Sequence, residues 1–377
     1  VIKTYTYKLK PNKTQAIELQ RLLDESRNIY NRGLEQLIAY YKETGKHLNR
    51  FAQDKFFNTE TCPNIHSGIV NATLDRLHRS FANFFRGWKE GKRIGFPRFQ
   101  SYRRYSSFSF NYYPSGGKIK DGKWYIRRDY GIKVLLHRPF EGEPKFTRCV
   151  KKASGWYVQV ICEFPEVEPK PITKESKVVG LDVGLRWFVA DSEGNKVYPP
   201  KYFRQAEWKL RQAHRRVSKR KKGSKRREKA IHLLALASEK VANQRRDFVH
   251  KTARKYADKY DIVVVEELNT VGMLKNHCLA KSISDAGWGL FFSLLDDKLK
   301  ALGKRLVKVA PQYTSQVCSQ CGALVMKSLS QRTHYCPQCL YVEDRDVNAS
   351  VNILKKGLGQ AIGEATPLGE LLTREAQ

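Results

Sequence analysis

The sequence is poor in acids. Its 377 residues hold 37 Asp and Glu against 70 Lys and Arg, a net charge of +33. A chain this basic repels itself unless it meets a polyanion, and repeated phosphate neutralisation makes nucleic acid the expected partner. Long hydrophobic runs are missing too. No stretch approaches the roughly 20 apolar residues of a membrane span, so no membrane partner is expected. The opening residues, VIKTYTYKLK, lack the apolar core of a secretion signal. The cytoplasm is the expected compartment, with the nucleoid when the chain is on DNA. Adhesion to anionic membranes, or plain solvated charge, competes as an explanation of the basic balance; the interleaving of aromatics with arginines disfavours it. Cysteine is scarce, at 8 residues, and a reducing compartment keeps such residues as thiols. Cys62, Cys149, Cys162 and Cys278 are scattered and read as buried apolar residues or chance. The other four are clustered.

What is present is a core-forming chain with two periodicities. Hydrophobic residues make up 41%, enough for two or three compact units. A short alternating start is followed by NKTQAIELQRLLDESRNIYNRGLEQLIAYYKETG. There Leu19, Leu22, Leu23, Ser26, Tyr30, Leu34, Leu37 and Tyr41 recur at helical spacing. GIVNATLDRLHRSFANFFRGWKEG predicts a second helix. Its apolar side carries Val70, Leu74, Leu77, Phe81, Phe84 and Phe85, and its other face Asn71, Arg76, Arg79 and Arg86. From about 105 to 165 the period becomes two, with SGG, DGK and ASG as turns, which predicts a small antiparallel sheet or barrel. PEVEPKPITKES is a proline-rich linker. The remainder reads as α/β: a hairpin around SEGN, helical residues 202–260 split by KKGSK, and the wholly apolar run of YDIVVVEELN. That run suits a strand covered on both faces. The tail after KKGLGQ is expected to be poorly ordered.

Cys318, Cys321, Cys336 and Cys339 form two CxxC pairs separated by fourteen residues. Two such knuckles bring four thiolates into a tetrahedron around one zinc ion. Four thiolates leave no position for a substrate water, so the zinc is expected to be structural.

Three acids stand out. Asp182 interrupts the apolar strand VVGLDVG, where an acid is costly unless paired or metal-bound. Glu266 stands where DIVVVEELN leaves its apolar run, and ligands of open α/β sheets collect at the carboxyl ends of strands. Asp346 or Asp344 begins the last helix. Two strand acids and one helix acid can meet at a point and hold two hard divalent cations, taken to be Mg²⁺, about 3.5–4 Å apart. Composition does not separate Glu266 from Glu267, but period two lets only one of them join the cluster. Asp344 and Asp346 likewise point about 200° apart on a helix, which leaves that choice open.

These residues resemble a known family. GLDVG before a hairpin, VVVEELN, SISDAGWGLFFSLLDDKLKALG, YTSQVCSQCG and YCPQCLYVEDRDVNASVNIL together look like TnpB, the OrfB protein of insertion sequences and apparent ancestor of type V CRISPR effectors. The resemblance implies a multidomain α+β chain. An RNase H-like RuvC nuclease domain would occupy 171–313 and 343–377, with a four-cysteine zinc finger inserted at 314–342. A wedge β-barrel would occupy 1–12 and 100–170, and a helical recognition domain 13–99. It also implies RNA-guided DNA cleavage with an ωRNA guide from the element's right end, and a short transposon-adjacent motif read by protein. Carried over by motif, the acids are Asp182, Glu266 rather than Glu267, and Asp346 rather than Asp344. Asp344 and Arg345 stay as supporting residues.

The segment RRVSKRKKGSKRREK contains ten basic residues and one acid. Arg215, Arg216, Lys219, Arg220, Lys221, Lys222, Lys225, Arg226 and Arg227 are the expected phosphate-tracking side chains for guide RNA or heteroduplex, recognised by shape and backbone. Arg103 and Arg104, beside tyrosines in FPRFQSYRRY, and Asn71, Arg76 and Arg79 are further candidates for contact. The expected assembly is one protein monomer on one guide RNA, engaging double-stranded target DNA. A compact CRISPR effector of the same ancestry, a guided repressor that does not cut, and a transposase acting without RNA are the competing functions.

Overall fold

The structure, a computed structural model, describes residues 1–364 except 59, 128, 174 and 329. The chain forms two compact units, Val1–Pro165 and Glu166–Gln377. Their boundary falls at the start of the proline-rich linker, where few side chains can build a shared core.

The first unit opens with β1 (Ile2–Lys10), then α1 (Lys13–Thr44), α2 (Arg50–Asp54) and α3 (Ser67–Lys89). Local chemistry sets the limits of α1. Asn12 and Gln15 form a reciprocal capping box at its start, and Gly45 ends it with a φ of 68°. Leu19, Leu22, Leu23, Ser26, Tyr30, Leu34 and Leu37 are buried as the spacing predicts, but Tyr41 is exposed in the last turn. On α3, Val70, Leu74, Leu77 and Phe81 are buried while Phe85 is exposed. Six further strands complete the unit: β2 (Ser107–Ser109), β3 (Lys118–Lys120), β4 (Lys123–Arg127), β5 (Tyr130–Leu135), β6 (Glu143–Lys152) and β7 (Gly155–Glu163). They join β1 in one antiparallel sheet, ordered β2-β6-β7-β1-β5-β4-β3. Among the described residues this ladder is open between β2 and β3.

The second unit contains β8 (Val178–Asp182), β9 (Val189–Asp191), β10 (Lys196–Val197), α4 (Tyr202–Ser218), α5 (Lys225–Lys259), β11 (Ile262–Glu266), α6 (Thr270–Met273), α7 (Ala280–Ala286), α8 (Trp288–Lys300), β12 (Arg305–Val309), β13 (Thr333–Tyr335), β14 (Val342–Asp344) and α9 (Arg345–Glu364). The sheet order is β10-β9-β8-β11-β12, with β11 parallel to both β8 and β12, and β9 antiparallel to β8. The expected two-stranded hairpin is three strands, because a turn closed by Gly184 N–H and the Trp187 carbonyl interrupts the run after Asp182. Val263, Val264 and Val265 are fully buried, as the apolar run of β11 predicts.

Two glycines let α9 lie directly on this sheet. A Cβ on Gly180 of β8 would meet the Ser350 carbonyl at 2.1 Å, and one on Gly357 would meet Val264 at 2.3 Å. No side chain fits at Gly180, where backbone approaches backbone, or at Gly357, where the Val264 side chain fills the space. Of the tail after KKGLGQ, residues 361–364 continue α9 instead of being poorly ordered, and the rest lies outside the described residues.

Candidate metal centres and nucleic-acid surfaces

Parallel pairing puts the carboxyl ends of β8 and β11 side by side, where the strands deliver Asp182 and Glu266. The N-terminal turn of α9 brings Asp346 to the same place. Burial raises the pKa of Asp182 well above the usual carboxylate range, and the charges of Glu266 and Asp346 raise it further. Arg345 and the Val183 backbone N–H oppose that rise. Burial also raises Glu266, against a hydrogen bond from Thr314 and the charge of Lys356. Asp346 is buried, and its Oδ1 accepts from Arg345 Nη2 at 3.1 Å. Asp182 therefore feels both other acids, whereas Glu267, just past the end of β11, is exposed.

Asp344 does different work. Its Oδ1 accepts from the backbone N–H of Asp346 at 2.9 Å, an N-cap of α9, and its Oδ2 pairs with Lys196 Nζ at 2.7 Å. Burial would raise its pKa, but Lys196 and the helix N–H groups outweigh it and lower it. Capping and pairing occupy both its oxygens.

The cysteines form a separate centre. Their four sulfurs lie within 4.8 Å of one another, with Cys318–Cys339 at 3.7 Å and Cys321–Cys336 at 3.5 Å. A tetrahedron with metal–sulfur distances of about 2.3 Å has edges of about 3.8 Å, so the donors fit one thiophilic cation. Backbone N–H groups of Cys339 and Gln338, despite burial, pull the Cys336 thiol down to about 6. The Tyr341 N–H pulls at Cys339, yet burial and the neighbouring sulfurs push it up to about 12. Thiolates this close cannot all carry charge without a cation between them. Of the scattered cysteines, Cys62, Cys149 and Cys162 are buried and Cys278 is exposed. Among the described residues no three carboxylates gather as tightly as the sulfurs. A pair of ions about 3.5–4 Å apart requires a wider spread of ligands than a single ion does.

The basic candidates separate into groups. Arg215 and Arg216 occupy the last turn of α4, where cations suit the helix dipole. Lys219, Arg220, Lys221 and Lys222 are exposed in the connection. Lys225, Arg226 and Arg227 begin α5, where cations oppose the dipole. Arg227 is half-buried and donates to the Arg220 carbonyl at 2.8 Å. In the first unit, Arg76 and Arg79 line a cleft of about 390 Å³ with Asn83, Asn111, Tyr112 and Arg148. Asn71 lies outside that lining, half-buried on α3. Arg103 and Arg104 are exposed, with Arg103 over the Tyr102 ring at 5.6 Å from its centroid. Sequence reading missed Arg148, whose pKa is lowered by burial and by Arg76 and Arg79. Its place on the alternating strand β6 carries no local sign of that convergence.

Fold and sites define a strongly basic, multidomain α+β protein that pairs a compact thiol centre with a wider acid centre. Comparison with known proteins narrows this class. A family model described as "Probable transposase", OrfB of IS605, matches residues 159–277, and a Cas12f1-like TNB domain matches 288–353. A third, described as a helix-turn-helix domain, matches 1–46, which here fold as β1 and the 32-residue α1. A "Putative RNA-guided DNA endonuclease" of Streptomyces pristinaespiralis is 33% identical over 95% of this chain and 90% of its own length. InsQ of Escherichia coli K12, carrying the same description, is 26% identical over 99% and 97%. The Cas12f1 chain of a cryo-EM complex with sgRNA and target DNA shares the fold. Its TM-score is 0.58 at 16% identity, over 91% of this chain and 83% of that one. This chain belongs to the TnpB (OrfB) family of insertion-sequence proteins.

Proposed function

We propose that this chain is a transposon-encoded, RNA-guided DNA endonuclease that hydrolyses phosphodiester bonds at Asp182, Glu266 and Asp346. The observation that carries the reading is the convergence of Glu266 and Asp346 on Asp182, whose pKa both raise, in a protein of net charge +33. Such a surface gathers polyanions, and such a cluster answers to hard divalent cations. The sheet order, with its one antiparallel neighbour of β8, supports an RNase H-like RuvC domain over 171–313 and 343–377. Residues 314–342 would be its zinc-finger insertion, 13–99 a helical recognition domain, and 1–12 with 100–170 a wedge barrel.

Two Mg²⁺ ions suit the acid trio and one Zn²⁺ the four thiols. When bound, the Mg²⁺ pair supplies an activated water and stabilises the leaving oxygen. The chain holds the carboxylates. The two strand ends fix Asp182 and Glu266, and Arg345 fixes Asp346 through its Oδ1. Raised pKa values keep uncompensated charge out of the centre until cations arrive.

The ωRNA guide and its heteroduplex are assigned to the 215–227 surface. Lys225, Arg226 and Arg227 oppose the dipole of α5, a placement that helps a polyanion more than it helps the fold. The Arg76–Arg79–Arg148 cleft is assigned to the transposon-adjacent motif, since arginine forks read guanine edges in the major groove. One monomer would bind one guide RNA and act on double-stranded DNA at the nucleoid. Among the described residues no helix is long and apolar enough to cross a membrane.

A compact CRISPR effector is the second reading. The Cas12f1 of Sulfoacidibacillus thermotolerans is 25% identical, but the match spans 58% of its length, against 90% and 97% for the two endonucleases. The deciding experiment is cleavage of a plasmid bearing a guide match beside a randomised flank, by protein copurified with its own RNA. Mg²⁺-dependent cutting next to one short motif is expected. Absence of both cutting and copurified RNA would sink the reading.

A further inference from the structure

α9 carries two asparagines, Asn348 and Asn352, at buried positions one turn apart, where an amphipathic helix would place apolar side chains. Buried amides persist only when hydrogen-bonded, and both of these are bonded to one short segment. Asn348 Nδ2 donates to the Val317 carbonyl at 2.8 Å, and its Oδ1 accepts from Ser319 N at 2.9 Å. Asn352 Nδ2 donates to the same Val317 carbonyl at 2.7 Å and to the Thr314 carbonyl at 2.9 Å. Lys355 Nζ reaches the Ser319 carbonyl at 2.6 Å. α9 therefore grips the chain on both sides of Cys318, the first cysteine of the thiol centre.

The same segment touches the acid centre. The Thr314 hydroxyl donates to Glu266 Oε1, and Thr314 is buried. Tyr313, immediately before it, is exposed and has a φ of 61°. A non-glycine residue keeps that conformation only where its surroundings enforce it, and here it turns Thr314 inward. One continuous path runs from Cys318 through Val317 and Thr314 to Glu266. It is anchored along its length to the helix that bears Asp346.

We propose that Thr314, Asn348 and Asn352 are positioning residues that clamp the stem of the four-cysteine unit and hold Glu266 in its cation-binding orientation. Metal occupancy of the thiols then sets the divalent-cation affinity of the acid centre. The proposal rests on the reading of Asp182, Glu266 and Asp346 as the hydrolytic centre.

The test uses the RNA-loaded protein with Mn²⁺ as probe, followed by electron paramagnetic resonance. The Mn²⁺ signal lost in the Asp182→Ala complex defines the ions bound at the acid centre. Thr314→Val keeps the side-chain volume and removes the hydroxyl. Its Mn²⁺ affinity should fall roughly tenfold, the lower end of what outer-shell partners of a metal site usually contribute. The Mg²⁺ needed for half-maximal cutting should rise in parallel. Thr314→Ser should restore both, and target binding should be unchanged throughout. Asn352→Leu, which leaves every cysteine in place, should weaken Mn²⁺ binding with zinc content retained. Unaltered Mn²⁺ affinity in Thr314→Val would overturn the proposal, as would an Asn352→Leu protein with unaltered Mn²⁺ affinity. Glu266→Gln separates the two failures. If it cuts normally, the assignment of the hydrolytic acids falls; if it is dead while Thr314→Val is normal, only the positioning role falls.

Discussion

The four cysteines and the three acids are held in different ways. Each pair of sulfurs comes from one tight turn, and the whole set lies within 4.8 Å. The carboxylates come from β8, β11 and α9, and burial and mutual repulsion raise Asp182. The thiols suit a soft cation that closes its site; the acids suit hard cations that leave room for a phosphate and a water. The thiol centre is therefore suited to fastening the chain, and the acid centre to holding charge that folding alone does not favour. Losing the first should cost structure. Losing the second should cost chemistry and relieve the fold.

The largest effect expected from this contrast is on cleavage. Asp182→Ala and Asp346→Asn should each lower cutting by about 10³-fold or more, the several kcal/mol that catalytic cations supply. Guide RNA and target binding should persist in gel-shift assays. Next comes Cys336→Ser, which should release the zinc, read by elemental analysis, and expose residues 314–342 to protease. Structural zinc contributes about 10–16 kcal/mol of apparent binding energy in small modules, so the loss should unfold that unit. An unchanged protease pattern would contradict the fastening role.

Gly180→Ala tests the contact that brings the two centres together. Overpacking at this backbone contact should cost about 1–3 kcal/mol and lower the denaturation midpoint, by pushing α9 off β8. Asp344→Asn should be milder, at about 0.5–1 kcal/mol, from the weakened cap and the lost pairing with Lys196. It should leave cutting near the original rate. Cleavage lost as fully as in Asp346→Asn would place Asp344 among the cation ligands.

The smallest effect is thermodynamic and has a defined sign. Asp182 and Glu266 have folded pKa values above their unfolded ones, so between the two values the native state binds more protons. Their contribution is fully present below the unfolded carboxylate range and is lost as pH rises toward the folded values. In Mg²⁺-free buffer with zinc retained, the melting temperature should fall as pH rises through that window. Asp182→Asn should flatten the fall and raise the melting temperature at neutral pH. A steeper fall in that variant would refute the repulsion.

Much of the scaffold was legible because its causes are local. The capping box of Asn12 and Gln15 and the left-handed Gly45 delimit α1 within a few residues of sequence. The apolar run of β11 announces a strand buried on both faces, and the linker beginning at Pro165 marks the division into units. Tyr41 and Phe85 are exposed although they share the apolar spacing, because helical spacing identifies a face and not how far a partner covers it. Arg148, Thr314 and the roles of Asn348 and Asn352 were missed for a related reason. Each depends on a contact with a residue distant along the chain, and none belongs to a short motif.

The contrast between the centres also marks what the sequence by itself determined. Spacing alone determined the thiol centre, because a CxxC turn brings its two sulfurs together wherever it occurs. Composition alone determined that a polyanion is the partner, because charge adds without regard to fold. Between neighbouring acids, spacing left the choice open and the family resemblance made it; the surroundings of each are set by tertiary structure. Glu267 lies exposed past the end of β11, and Asp344 is occupied by capping α9 and by Lys196. Glu266 meets Asp182 through the parallel pairing of β11 with β8, and Asp346 joins them because Gly180 lets a helix rest on a strand. A carboxylate's neighbours, and hence its charge state, are set by packing across the chain, which no local pattern of residues records.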